Sequence, residues 1–357
     1  MTSRFSGRLV PTAIVVGAAL LVSSVPALAQ DAERPEIVWL EQGAGNPYWD
    51  AQHAAAAAAG EDLGFDFRAV SGNSDPAQQA ATLTQLVDQG VSAIMLNAID
   101  PSATAEGVAY AAEQGVPVIS LYAIDPNAAA SVTFDEIKVG ETAAKHALTL
   151  LEAKNGSPTG KVAILQGIQG QPASDQRSQG FEDYMTAQGV EVVAKQPTGW
   201  SADEASATMQ DWLVSQPDLD LVYALSDTLA VPAINVAERE NKVCTAEADW
   251  TANPDCIIFV SVDGIFVDEV VNGRLWGTQL YSPQWSGFAF ADVANAVATG
   301  GDFEKETYLD ALLVTPENAA CVAEMQGEMA ADPASFPFEG SLADIATARD
   351  CPVIALD

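Results

Sequence analysis

Asn46, Tyr48 and Trp49 stand in the stretch GNPYWD, four residues past the apolar run EIVWL. Asn46 suits a helix N-cap and Pro47 the first helical position. Tyr48 and Trp49 then fall on the first turn, about 100° apart. Such a pair can staple the incoming strand to the helix, or offer an aromatic face to a ligand ring, and the residues alone support both. Arg177 lies in QGIQGQPASDQRSQGF, where a loop runs into a helix. A guanidinium there can grip two neighbouring oxygens. The alternative is a surface salt bridge, but Glu182 and Asp183 miss the three- or four-residue spacing. Asp227 in ALSDT and Asp263 in SVDG each follow an apolar run directly. Each could cap a helix or make an Asp-Gly turn; their equivalent places favour a shared ligand role.

Other chemistries find little support. The two histidines, His53 and His146, both sit in helical stretches, so no Ser-His-Asp or Cys-His set can be assembled. No H-E-x-x-H or clustered His/Cys/carboxylate spacing points to a metal. The glycine-containing loop before Arg177 lacks G-x-G-x-x-G and the Lys-Ser/Thr of a P-loop. No cofactor and no enzyme activity are expected. Carboxylate pairs are too abundant to rule out a glycosidase pair by counting, and the fold argues against one.

These residues need elements to position them. EIVWL, FDFRAV, VSAIML, PVISL and SVTF read as strands, with helices near 47–63, 76–90 and 102–114 between them. The pattern restarts with KVAILQ, VEVVAK, LDLVYAL, CIIFVSV and GTQLY, with helices near 174–188, 203–216, 228–240 and 265–273, and a last long one near 285–299. Continuous apolar strands separated by helices mean parallel sheets covered on both faces. The two series predict two doubly wound α/β domains of similar build. Ligands of such sheets sit at the carboxyl ends of the strands. That rule gathers Asn46, Tyr48 and Trp49 with Tyr122 and Asp125, and in the second series Gln169 to Arg177, Ser226, Asp227, Asp263, Gln279 and Tyr281.

The chain has 357 residues, 48% hydrophobic and 18% charged, enough for two cores. Arg4 and Arg8, an apolar run over 13–22 and Ala27-Leu28-Ala29 form a signal-peptide pattern over residues 1–29, which predicts an exported, soluble mature chain. That segment holds two arginines and no acid, leaving 13 basic against 49 acidic residues. So acidic a molecule is repelled by nucleic acid and by anionic membranes. The four cysteines have no C-x-x-C pair, and export makes disulfides the default. Cys244–Cys256 and Cys321–Cys351 are favoured, because each pair brackets a polar, proline-containing segment.

As a set, NPYW, NSDPAQQAATLTQLVDQGVSAIMLNAID, QGVPVISL, ILQGIQGQPASDQRSQGF, LVYALSDTLAVPA and VSVDG resemble the ribose-binding-like periplasmic solute-binding proteins of ABC sugar importers, over roughly residues 36–313. The resemblance implies two α/β domains joined by a three-strand hinge with a ligand cleft between them. Its crossings fall near 134–135, 281–282 and 306–310. The implied domains are 30–134 plus 282–308, and 135–281 plus 309–357. Asn46, Tyr48 and Trp49 match the family's Asn-Pro-aromatic-aromatic motif, and Arg177 and Asp263 its ligand-binding Arg and Asp. Trp200 falls where a further stacking aromatic is common, Ser226 where an Asn is usual with Asp227 beside it, and Gln279 near the hinge. Tyr122-Ala123 replaces the Asp-Arg of many sugar binders, and Tyr281 adds a ring, so the pocket is expected to be more aromatic than a ribose site. The resemblance implies a periplasmic monomer, a carbohydrate-like ligand and an ABC permease partner. A chemoreceptor or histidine kinase is the sensing alternative. A sugar-responsive transcription regulator would need a basic helix-turn-helix where the signal peptide stands.

Overall fold

The computed structural model describes residues 34–247, 249–332 and 340–356; the signal-peptide reading of 1–29 lies outside them. Among the described residues twelve strands run in chain order: β1 (Glu36–Glu41), β2 (Asp66–Ser71), β3 (Ala93–Leu96), β4 (Val118–Leu121), β5 (Ala130–Phe134), β6 (Lys161–Gln166), β7 (Glu191–Pro197), β8 (Leu221–Ala224), β9 (Ile258–Asp263), β10 (Gly277–Leu280), β11 (Glu306–Leu309) and β12 (Leu312–Val314). The helices among the described residues are α1 (Pro47–Leu63), α2 (Pro76–Gln89), α3 (Pro101–Gln114), α4 (Glu136–Asn155), α5 (Pro172–Ala187), α6 (Ala202–Ser215), α7 (Asp227–Arg239), α8 (Asp249–Ala252), α9 (Val267–Val271), α10 (Pro283–Thr299), α11 (Ala319–Ala331) and α12 (Leu342–Thr347).

The strands form two six-stranded sheets, ordered β11-β5-β4-β3-β1-β2 and β12-β10-β9-β8-β6-β7. The first is wholly parallel. The second is parallel except at β12, which runs antiparallel to β10. That strand departs from the all-parallel expectation, for a simple reason. Only Asp310 and Ala311 separate β11 from β12, too short a link for a crossover helix. The chain leaves the edge of one sheet and enters the edge of the other directly.

Local grammar accounts for the helix starts. Asn46, Asp75 and Asp100 each cap a helix through the side chain, and each is followed by proline at the first helical position. The alanine tract of α1 buries Ala55, Ala56 and Ala59 completely. Its flatness lets α10 approach, and at Gly287 of α10 a Cβ would stand 2.5 Å from the Gln52 carbonyl. Thus α10, which follows a strand of the second sheet, packs on α1 of the first. The two cysteine pairs are bonded as expected, Cys244–Cys256 and Cys321–Cys351. The second ties α11 to the chain after α12, a segment beyond the reach of the resemblance.

Candidate functional site

The carboxyl ends of the two sheets face a cavity of about 50 Å³. Six residues of the first sheet's lobe line it: Gln42, Asn46, Tyr48, Trp49, Asn97 and Tyr122. Six come from the second: Gln171, Ala173, Arg177, Trp200, Ser226 and Asp263. Eight of the twelve residues singled out for the cleft are therefore brought together.

In the first wall, Asn46 Oδ1 accepts the Tyr48 backbone N–H at 2.9 Å, so the cap engages its oxygen and sets the orientation of its NH2 group. The Tyr48 and Tyr122 hydroxyls meet at 3.3 Å, and Gln52 Nε2 donates to Tyr122 Oη at 2.5 Å and to Ser286 Oγ at 2.8 Å. This network fixes both rings from behind. Burial, followed by the nearby Asp263 charge, pushes the Tyr48 hydroxyl far above its ordinary range. It therefore acts as a neutral group.

In the second wall, Arg177 is only 3% exposed. Its fork is occupied, with Nε donating to Glu136 Oε2 at 2.8 Å and Nη2 to Glu136 Oε1 at 2.9 Å. Nη1 donates to the Leu225 carbonyl and lies 3.5 Å from Asp263 Oδ1. The partner is thus neither a surface acid nor two ligand oxygens, but a buried carboxylate at the start of α4. Two glycines permit this meeting. A Cβ on Gly140 of α4 would overlap the Arg177 carbonyl, and one on Gly180 of α5 would overlap the Ile137 carbonyl. The helices cross with backbones in contact, which sets Glu136 against Arg177. From below, the Tyr281 ring lies 5.0 Å from the guanidinium carbon, and its hydroxyl donates to Glu136 Oε2 at 2.5 Å.

Asp263 ends β9 with φ 97°, a left-handed conformation that costs a non-glycine residue free energy. Tyr122 and Trp200 also have positive φ, 60° and 61°. Three wall residues thus hold uncommon backbone conformations that aim their side chains at the cavity. Burial raises the Asp263 carboxyl to about 7; Arg177 offsets part of the rise, the Asp227 charge adds to it, and Ser226 offsets it by a hydrogen bond. Trp200 donates from Nε1 to Gln171 Oε1 at 2.7 Å, and its ring lies flat on Gly167, where any Cβ would collide with it.

Three expected residues stand behind the walls. Asp227 accepts from the Ser261 hydroxyl, from Thr278 Oγ1 at 2.8 Å and from the Phe266 N–H at 3.0 Å. It anchors the loop after β9 and so supports Asp263. Gln279 donates to the Val139 carbonyl of α4, and Tyr281 stacks on Phe134 at 3.7 Å. Residues two apart share a strand face, and here that face meets α4 rather than the cavity. The extra ring at Tyr281 is therefore no part of the pocket surface. Asp125 also lies away from this cavity, beside a larger one along the hinge.

Gln42, Asn97 and Glu136 escaped the reading from sequence, while Gln171 and Ala173 fell within the Gln169 to Arg177 stretch without being singled out. Gln42 and Asn97 each follow a strand by one residue, so the strand-end rule could have found them. Ala173 carries no signal, and Glu136 reads as an ordinary first-turn acid. Neither histidine reaches the cavity: His146 is buried with Nε2 2.9 Å from the Trp276 carbonyl, and His53 packs edge-on against Trp39. Among the described residues no cluster could hold a metal, and no helix is long and apolar enough to cross a membrane.

A family model for the periplasmic binding protein domain matches residues 37–302. The ribose import binding protein of Salmonella typhimurium is 26% identical over 271 residues, covering 75% of this chain and 86% of that one. The xylitol-binding protein of Mycolicibacterium smegmatis is 27% identical over 260 residues, 71% of this chain and 70% of that one. In fold, the chain is similar to an ABC transporter solute binding protein from Bacillus halodurans with bound myo-inositol (TM-score 0.73, 24% identity, 83% and 99% covered). It is equally similar to the fructose binding periplasmic domain of a hybrid two component system (TM-score 0.73, 18% identity, 89% and 99% covered). With the motifs and the paired sheets, the match across 37–302 makes this chain a member of the periplasmic binding protein family, of the ribose-binding-like kind.

Proposed function

We propose that the protein is an exported, periplasmic substrate-binding protein that captures a sugar or sugar-like solute by hinge closure and delivers it to an ABC-type importer. The observation that carries this is the cavity itself, with six side chains from each lobe around one space. At about 50 Å³ it is well below the roughly 300–1,000 Å³ of ligand pockets. Entry of a ring-sized solute requires the lobes to part, and a solute touching both walls favours the closed state over the open one. The lobes in this reading are 30–134 plus 282–308, and 135–281 plus 309–357, a partition that keeps each sheet whole apart from Leu309 at the end of β11.

The wall chemistry suits a polyhydroxylated ring. Tyr48, Trp49 and Trp200 offer faces for its C–H surface, while Asn46 donates and Asp263 accepts. Arg177 contributes charge and one remaining edge, since Glu136 holds its fork. Relatives named for ribose and xylitol support this solute class. Tyr122-Ala123, in place of an Asp-Arg pair, shifts the preference towards a less polar face than ribose presents. A sensing role, with the bound form read by a membrane receptor or kinase, is the second reading, supported by the fold of the fructose binding domain of a two component system. A thermal-shift screen of the purified chain against pentoses, hexoses, polyols and cyclitols tests the proposal. At least one solute should raise Tm, and Asp263→Ala and Arg177→Ala should abolish the shift. A confirmed solute that binds both variants with unchanged affinity would place the site elsewhere.

A further inference from the structure

The helix α11 starts at Ala319, beyond residue 302 where the family match ends. None of its residues lines the cavity, yet it reaches the loop that carries one of the wall residues. Gln326 and Met329 stand three residues apart on α11 and so share a helix face. That face meets the chain at two places of strained backbone. Gln326 Nε2 donates to the Gly264 carbonyl at 2.6 Å, one residue past Asp263. A carbonyl only accepts, so the NH2 end of the amide must face it. Met329 Sδ accepts from the Ser282 hydroxyl at 3.3 Å, at the crossing after β10. Asp263, Gly264 and Ser282 have φ of 97°, 66° and 43°. Val322, Met325 and Met329 are all buried, and they seat the helix against the core.

The turn after β9 is held at each successive peptide. The one joining Asp263 to Gly264 is gripped at both ends: the Tyr281 N–H donates to the Asp263 carbonyl at 3.1 Å, and the Gly264 N–H donates to Thr278 Oγ1 at 3.2 Å. The next peptide is gripped through the Gly264 carbonyl by Gln326. Glycine gives that peptide the widest choice of orientation, so an outside donor has the most to fix there. A left-handed Asp263 persists only where its surroundings over-determine it. We infer that Gln326 is a positioning residue for solute binding: by holding the Gly264 carbonyl it locks the turn that aims Asp263 into the cleft, which gives the segment after β12 a part in affinity. This rests on the reading of the cleft as a solute site. The buried face of α11, rather than the Cys321–Cys351 bond, sets Gln326, so opening that disulfide leaves the tether in place. Loss of the tether, an ordinary hydrogen bond, should weaken solute binding about 2- to 10-fold.

The test compares Gln326→Met with the Cys321→Ala/Cys351→Ala pair, both in the full chain. Methionine keeps the length and removes the donor. D-ribose, xylitol, myo-inositol and the other pentoses, hexoses, polyols and cyclitols serve as probes, and those that bind the wild type are titrated calorimetrically into both variants where both are folded. A residue with a purely structural part would behave like the cysteine pair, less stable but unchanged in affinity. Gln326→Met should instead lose about 2- to 10-fold in affinity. Unchanged affinity in Gln326→Met, or an equal loss in the cysteine pair, overturns the inference and leaves the solute site standing. Failure of every probe to bind the wild type overturns both. Should Gln326→Met not fold, a crystal structure of the solute-bound wild type decides. Gln326 Nε2 should lie about 2.7–3.2 Å from the Gly264 carbonyl, with Asp263 at positive φ, and an amide turned away from that carbonyl refutes the assignment.

Discussion

Replacing Glu136 by glutamine removes one charge from the pair that fixes Arg177. Glu136 and Arg177 are 1% and 3% exposed and share two hydrogen bonds of 2.8 and 2.9 Å. Water cannot take the place of the lost partner, so the guanidinium is left buried with only Asp263, at 3.5 Å, as counter-charge. Breaking such a pair from one side costs about 3–5 kcal/mol, a fall in Tm of roughly 6–20 °C. Arg177→Met should cost a similar amount, because it strands Glu136. The double variant removes both charges, so the losses should not add; a urea-unfolding cycle should give a coupling of about 2–3 kcal/mol. Additive losses, or a Glu136→Gln variant within about 0.5 kcal/mol of wild type, would refute the view that this pair is dry and mutually dependent.

The raised Asp263 carboxyl makes a pH prediction with a definite sign. Its value is about 7 in the fold against 3.8 ordinarily, so between these the folded chain keeps a proton that the unfolded chain releases. This group's contribution to stability therefore falls as pH rises through that window and is level above it; urea midpoints of wild type and Asp263→Asn should diverge there and run parallel elsewhere. Solute affinity should rise through about pH 7 as the stronger, ionised acceptor forms, and a flat calorimetric profile would remove Asp263 from the solute contacts. Gly167→Ala should evict the Trp200 ring from its seat, changing tryptophan fluorescence and weakening solute binding with little loss of stability. The Cys321→Ala/Cys351→Ala pair should lower stability by about 3–4 kcal/mol, from the loop it closes, and leave solute affinity unchanged because neither cysteine lines the cavity.

Much of the fold was legible because local rules and tertiary demand agree. An Asn-Pro or Asp-Pro step starts α1, α2 and α3, and strands buried on both faces read as unbroken apolar runs. The antiparallel β12 was hidden because three residues carry no direction; only the two-residue link to β11 sets it. At the site, placement after a strand found Asn46, Tyr122, Ser226 and Asp263. It could not tell Asp263, which turns into the cavity through its left-handed backbone, from Asp227, which turns beneath the loop to meet Ser261 and Thr278. Likewise Gln279 and Tyr281 stand at a strand end, but their shared face belongs to α4. Glu136 and Arg177 lie 41 residues apart, and their pairing depends on the crossing at Gly140 and Gly180, which no spacing within one helix reveals.

Whether the cleft holds a sugar-like solute between its two walls is decided by calorimetric titration of pentoses, hexoses, polyols and cyclitols into the chain, repeated with Asp263→Asn and Trp49→Ala as changes in opposite walls. At least one such solute should bind the wild type one-to-one and bind both variants markedly less well, because closure needs both lobes to hold it. Binding that survives either change undiminished, or no binding by any of these solutes, would contradict that reading of the cleft.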